Sequence, residues 1–287
     1  MDWERDGADW PNRDHSRFVR HRPHLWHIQQ AGQGPVVLLL HGTGGASHSW
    51  RDVFPLLARH YTVVALDLPG QGFSKMGARQ RCGLDGMSQD IAALLAGENL
   101  LPDAIIGHSA GAALALRLVR DLARPPKAIV GINAALENFK GMAGFLFPMM
   151  AKMMALNPLS ASEVSRWLGT APNVSQLIGM IGSRLTPEGL ALYHRLVADR
   201  HHTDATLAMV SQWTLEGLSH DLPGIDIPTL LIVGDADRAV APETSVKAAA
   251  RMPRAEVAHF PGLGHLAHEE APVEVTARIE AFLADHL

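Results

Sequence analysis

Six residues, Ile106-Gly107-His108-Ser109-Ala110-Gly111, constrain this chain more than any other stretch. A short apolar run, 103–106, precedes them and reads as a strand. An Ala/Leu-rich run, 110–122, follows at once and reads as a helix. A chain that passes from strand to helix with no linker must turn sharply. Such a turn strains the backbone of the residue at its tip, and neighbouring chains leave no room for a Cβ at Gly107 or Gly111. The spacing G-x-S-x-G in that setting is a nucleophile elbow. The Ser109 hydroxyl then projects into a crevice, with a helix N-terminus behind it that favours negative charge.

The rest of the chain alternates short apolar runs with helical patterns, as a parallel sheet with crossover helices requires. Residues 17–21 and 25–30 read as two opening strands joined near Pro23. Residues 35–40 (PVVLLL) are apolar throughout, as in a strand buried on both faces. A helix over 47–60, a strand over 61–66, a helix over 87–99 and a strand over 127–132 follow. The rhythm breaks at about Asn138. From there to Asp221 no strand pattern occurs, only helical pieces interrupted at Pro148, Pro158, Gly169, Pro172 and Pro187. It resumes with a strand over 228–233 (PTLLIV), a helix over 242–252, a strand over 255–260 and a closing helix from Pro272 onward. The expected organisation is a core of residues 1–137 and 222–287, interrupted by an all-helical block, 138–221. That block is too long for a loop and reads as a lid over the C-terminal edge of the sheet.

Composition excludes several classes. The 287 residues are 47% apolar, enough for one substantial core with an insertion. A net charge of −4 argues against a nucleic-acid partner. The single cysteine, Cys82, permits no internal disulfide and suits a reducing compartment. The polar N-terminus, MDWERDGADWPNRDHSR, lacks the apolar segment of a secretory signal. No stretch is long and apolar enough to be a transmembrane segment. The chain therefore reads as cytoplasmic.

An elbow at Ser109 inside such a sheet resembles the α/β-hydrolase superfamily. That resemblance implies a mostly parallel eight-stranded sheet with helices on both faces. It also implies a serine nucleophile, then an acid, then a histidine base along the chain, because a serine hydroxyl needs a base within reach and the base needs an orienting carboxylate. Asp237, in the turn Gly234-Asp235-Ala236-Asp237-Arg238 after a late strand, matches the acid. Asp235 is its rival, though it also suits a turn cap. His265, in Pro261-Gly262-Leu263-Gly264-His265-Leu266, matches the base. His268, ahead of Glu269-Glu270, reads as a surface residue. The oxyanion of an acyl transfer needs two N–H donors. The superfamily pattern places them at Ala110, after the nucleophile, and at Thr43 in the loop His41-Gly42-Thr43-Gly44-Gly45, whose shape His41 and Gly42 would hold. This glycine loop lacks the G-x-x-x-x-G-K-[ST] spacing of a phosphate cradle. Asp67, opening Asp67-Leu68-Pro69-Gly70-Gln71-Gly72-Phe73-Ser74, would brace the turn beneath the site.

No metal and no cofactor are expected. His265-x-x-His268-Glu269 does not match an established zinc spacing, and His201-His202 reads as a solvated helix end. The stretch 141–156 (GMAGFLFPMMAKMMAL) holds five of the 11 methionines. Such a stripe is often core packing, yet methionine also suits surfaces that adapt to large apolar ligands. Phe139, Phe147, Trp167 and Trp213 add aromatic area. Phe145, Met149, Met153 and His108 are the expected substrate contacts, for a bulky hydrophobic small molecule.

Further strings narrow the resemblance. Asp9-Trp10-Pro11-Asn12-Arg13, Ser16-Arg17-Phe18-Val19, Leu25-Trp26-His27-Ile28-Gln29 and Ser47-His48-Ser49-Trp50-Arg51 look like the BchO family, the magnesium-chelatase accessory proteins of bacteriochlorophyll biosynthesis. The resemblance runs the length of the chain. It implies a tetrapyrrole context and a magnesium-chelatase contact, and leaves open a peripheral place at the photosynthetic membrane. Two readings stand: a serine esterase, or a non-catalytic porphyrin-binding or chelatase-docking protein on the same fold. A dehalogenase is disfavoured because that chemistry uses Asp where Ser109 stands.

Overall fold

The computed structural model describes residues 1–137 and 160–287. Eight strands form one sheet in the order β1-β2-β4-β3-β5-β6-β7-β8. They are β1 (Ser16–His21), β2 (His24–Ala31), β3 (Val36–Leu40), β4 (Thr62–Leu66), β5 (Ala104–His108), β6 (Ala128–Ile132), β7 (Thr229–Gly234) and β8 (Ala255–Phe260). β1 and β2 run antiparallel at one edge, and β3 to β8 pair parallel.

The apolar runs are strands because each has a hydrophobic layer on either side. Along β3, Leu38 and Leu40 enter one core while Val37 and Leu39 enter the other. β4 divides Val64 and Leu66 from Val63 and Ala65 in the same way. Successive side chains point to opposite faces, so a strand covered on both sides needs an unbroken apolar run. Each such side chain contributes about 1.5–3 kcal/mol on burial. Helices α3 (Leu84–Gly97) and α4 (Ala110–Leu118) cover the first face. Helices α2 (Val53–Leu57) and α12 (Pro272–Ala284) cover the second. The short α1 (Trp3–Asp6) lies near the N-terminus.

One expected helix divides. Residues 47–60 form a 3-10 turn, Ser47–Trp50, and then α2. Pro55 has no N–H to give to Arg51, so a helix begun at Ser47 cannot run through it. The helix restarts with Pro55 in its first turn, and the Arg51 carbonyl accepts from the Asn12 side chain instead, at 3.1 Å.

Between β6 and β7, the described residues 160–221 contain helices and no strand. They are α5 (Ser160–Leu168), α6 (Ala171–Met180), α7 (Pro187–Ala198), α8 (Arg200–Gln212) and α9 (Glu216–Asp221). Pro172 and Pro187 sit in first turns. They start helices, where a missing N–H costs nothing, and do not interrupt them. After β7, α10 (Pro242–Ala249) and the short α11 (Ala267–Glu270) complete the chain with α12. No helix among the described residues is long and apolar enough to cross a membrane.

Candidate active site

Each candidate group follows the C-terminal end of a parallel strand. Thr43 follows β3, Ser109 follows β5, Asp237 follows β7 and His265 follows β8. In an open α/β sheet that edge is where ligands bind.

Ser109 links β5 to α4 with φ 53° and ψ −116°, a strained conformation for a residue with a side chain. The two flanking glycines are sterically required. A Cβ on Gly107 would lie 2.2 Å from the Gly111 carbonyl oxygen, and one on Gly111 would lie 2.1 Å from that of Leu40. The elbow is pinned to its neighbour, since Ser109 N donates to Ile132 O at 2.9 Å. Ser109 is partly exposed between buried His108 and Ala110. Ala110 opens α4, in the first turn whose amides lack intrahelical acceptors.

His265 donates from Nδ1 to Asp237 Oδ2 at 2.8 Å. Both residues are 8% exposed, so water competes little for this bond. The other Asp237 oxygen accepts from the amides of Ala239 and Val240 at 2.8 and 2.9 Å. Asp235 points elsewhere: it pairs with His259 at 2.7 Å on the exposed surface.

No pattern in the sequence singles out Asn133, which directly follows β6 with φ 46°. Its Oδ1 accepts from Gly234 N at 2.8 Å. Its Nδ2 donates to the carbonyls of Gly264 and His265 at 2.9 and 2.8 Å. One buried amide thus joins the loop of Asp237 to the loop of His265. The one available signal was an asparagine directly after an apolar strand, a residue that tolerates the left-handed region.

Three histidines differ from their sequence-based reading. His108, expected to touch substrate, is buried and donates from Nε2 to His265 O at 2.8 Å. Its ring stands 4.8 Å from that of His265 and 4.6 Å from that of His268, so it supports the His265 loop. Burial, then the neighbouring His268 and His265, hold its pKa well below the usual imidazole range. His268, expected at the surface, is fully buried beneath the Ser47–Trp50 turn. It donates to Ser49 Oγ at 2.8 Å, Ser49 donates to Glu269 Oε1 at 2.8 Å, and Tyr193 donates to the same oxygen at 2.7 Å. Arg51 closes an ion pair on Glu269. Burial, Arg51 and His265 push His268 down to about 3. His202, expected in solvent beside exposed His201, is buried between two glycine turns. A helical pattern alone does not say what packs on it, and these histidines meet partners far away in the chain.

The Thr43 loop is held from several sides. His41 donates from Nδ1 to Gly42 O at 2.8 Å and accepts at Nε2 from Leu68 N at 2.9 Å. Asp67 accepts from His27 Nδ1, Ser47 N and Phe73 N at 2.7, 2.6 and 2.9 Å. Burial alone would raise its pKa, but the His27 imidazole and these donors hold it far below the usual carboxylate range. Thr43 itself is exposed. Trp213 packs against the core and Trp167 stands exposed at the end of α5. Phe139, Phe145, Phe147, Met149 and Met153 lie outside the described residues. Among the described residues no group of three His, Cys, Asp or Glu is placed to hold a metal ion.

Comparison with known proteins agrees with this architecture. The sequence profile of the Alpha/beta hydrolase family matches residues 37–279. The Magnesium-chelatase 30 kDa subunit of Rhodobacter capsulatus is 43% identical over 92% of this chain and 93% of its own length. A pimeloyl-[acyl-carrier protein] methyl ester esterase of Nitrosospira multiformis is 28% identical over 89% of this chain and 97% of its own. Among solved structures, a thermophilic esterase from Thermogutta terrifontis superposes with a TM-score of 0.77 at 22% identity, covering 95% of this chain and 99% of the esterase. The chain belongs to the alpha/beta hydrolase family and, within it, to the BchO family.

Proposed function

We propose that this member of the family is a serine hydrolase that cleaves a carboxylic ester of a bulky hydrophobic substrate, with a tetrapyrrole ester as the candidate. The observation that carries the reading is the buried His265–Asp237 hydrogen bond at 2.8 Å, on loops beside a strained serine elbow. In this reading Ser109 Oγ attacks the ester carbonyl while His265 Nε2 takes its proton. Asp237 holds the imidazole in the tautomer that leaves Nε2 free and stabilises the imidazolium that forms. The tetrahedral oxyanion is held by the N–H groups of Thr43 and Ala110. His265 then protonates the leaving alkoxide, and water releases the acyl group by the same route. Residues 138–221 act as a lid over this edge.

The tetrapyrrole context rests on the BchO resemblance, and the name of the Rhodobacter capsulatus relative supports an association with magnesium chelatase. The same name favours a second reading, a non-catalytic protein that binds a porphyrin or docks on magnesium chelatase. Either would act in the cytoplasm, at the periphery of the photosynthetic membrane. Labelling with a fluorophosphonate, peptide mapping and turnover of an ester panel separate the two. The hydrolase reading expects label on Ser109 and loss of label and turnover in Ser109→Ala. A chain that takes no label, cleaves no ester and titrates with porphyrin regardless of Ser109→Ala would establish the second reading.

A further inference from the structure

Helix α8 belongs to the helical block, yet one of its faces lies on the glycine loops of the sheet. Ala205 sits against Gly70, where an added Cβ would come within 2.5 Å of the Ala205 Cβ. Met209 Sδ accepts from Gln71 Nε2 at 3.2 Å and from Thr43 Oγ1 at 3.8 Å. His202 leads this face from the first turn, where Asp199 Oδ1 caps the amides of His201 and His202 at 3.0 and 2.9 Å.

The two nitrogens of His202 have opposite duties. Nδ1 accepts from Gly72 N at 3.0 Å, so the proton is on Nε2, which donates to Gly44 O at 3.1 Å. The Gly44 carbonyl shares a peptide plane with Gly45 N–H. That N–H donates to Gly42 O at 3.0 Å, and Gly42 O shares its plane with Thr43 N–H. A continuous line therefore runs from the imidazole through two peptide groups and ends at the Thr43 amide. Gln71 Oε1 accepts from Gly44 N at 2.9 Å and holds the plane between them. The loop needs such anchors, because Gly44, at φ 75°, and its neighbours Gly42 and Gly45 have no side chains to restrain them. Hydrogen bonds in line also polarise one another, which makes the last N–H a better donor.

We propose that His202 is a positioning residue for the oxyanion loop: through Gly44 and Gly42 it aims the Thr43 N–H, so the oxyanion site is complete only while α8 is seated on the sheet. The proposal rests on the hydrolytic reading above and extends it to the helical block. The block then does more than cover substrate, because displacing α8 disarms the chemistry. Burial pushes His202 down to about 4, which keeps the ring neutral, as its acceptor duty at Nδ1 demands.

Two near-isosteric variants divide the contacts. In His202→Gln the side-chain amide reaches the position of Nε2 and restores a donor to Gly44. In His202→Asn the amide oxygen reaches the position of Nδ1 and restores only the acceptor for Gly72. The full-length chain is assayed on a p-nitrophenyl ester, with melting temperature read in parallel. His202→Ala and His202→Asn are expected to lose about 10- to 100-fold in kcat, as for a displaced donor, with KM within about threefold. His202→Gln recovers most of the loss. A merely structural role would lower all three variants in step with their melting temperatures. The proposal is overturned if folded His202→Asn turns over within threefold of wild type, or if Gln and Asn variants are equal. The Gln/Asn pair keeps the test when the alanine variant fails to fold. A wild-type chain that neither labels nor turns over would overturn the hydrolytic reading and this one with it. An active wild type with unaffected variants overturns this one alone.

Discussion

Replacing Asn133 with alanine removes one side chain from three backbone groups on two loops. Gly234 N–H and Gly264 O lose this partner, while His265 O keeps the His108 Nε2–H. Stripping a partner from a buried polar group costs about 1–3 kcal/mol, so the two groups together cost about 4 kcal/mol. Asn133 also occupies φ 46°, where alanine is worse by about 1 kcal/mol. The sum is about 5 kcal/mol. At about 2 cal/mol/K per residue, a chain of 287 residues unfolds with an entropy of about 0.6 kcal/mol/K, and the melting temperature should fall by about 8 °C. Asn133→Asp should be no milder, because an ionised carboxylate has nothing to donate to the two carbonyls. Circular-dichroism melts of the three proteins at neutral pH measure this without assuming any activity. A shift under about 2 °C for Asn133→Ala would refute the claim that this amide clamps the two loops. If the melt shift appears and turnover of a p-nitrophenyl ester stays at wild-type level, the clamp is structural only and has no part in positioning His265 for turnover.

Asp237→Asn should lower kcat by about 10,000-fold, as expected when an imidazole loses its orienting carboxylate, and turnover within tenfold of wild type would remove Asp237 from the mechanism. Ser109→Gly should raise the melting temperature by about 2–3 °C while abolishing fluorophosphonate labelling, because glycine relieves a strained φ of 53° worth about 1–2 kcal/mol; a lower melting temperature would show that the elbow is not strained. Stability should fall as pH drops from 6.5 towards 4. His202 and His268, pushed down to about 4 and about 3, are neutral in the fold. They are protonated at about 6.5 in the unfolded chain, which therefore binds more protons across that window. The stabilisation is fully present above about 6.5 and is lost as pH falls. Melts between pH 7 and 4.5 should show this slope, and His268→Gln should flatten it; a slope unchanged by that substitution would exclude His268 as a source.

The parts legible in the sequence are those whose physics is local. Gly107, Ser109 and Gly111 declare an elbow because a strand-to-helix turn is crowded by its own neighbours. The runs VVLLL and TLLIV declare strands because two-sided burial leaves no position for a polar residue. The family resemblance picks out Asp237 and His265, and the fold joins these two by a hydrogen bond while Asp235 faces His259. Pro55, two helix starts and the division of 47–60 were readable in principle from proline geometry.

What the sequence by itself determined is the sheet and the elbow, with Asp237 and His265 placed after its late strands. Tertiary structure alone decided what holds them. Asn133 meets Gly234 across 101 positions, and His202 meets Gly44 across 158. His268 disappears beneath a turn more than 200 residues earlier, at Ser49. A hydrogen bond depends on distance and angle in space, to which sequence separation is no guide. A buried histidine and a solvated one therefore look alike in the sequence until the chain has folded around one of them.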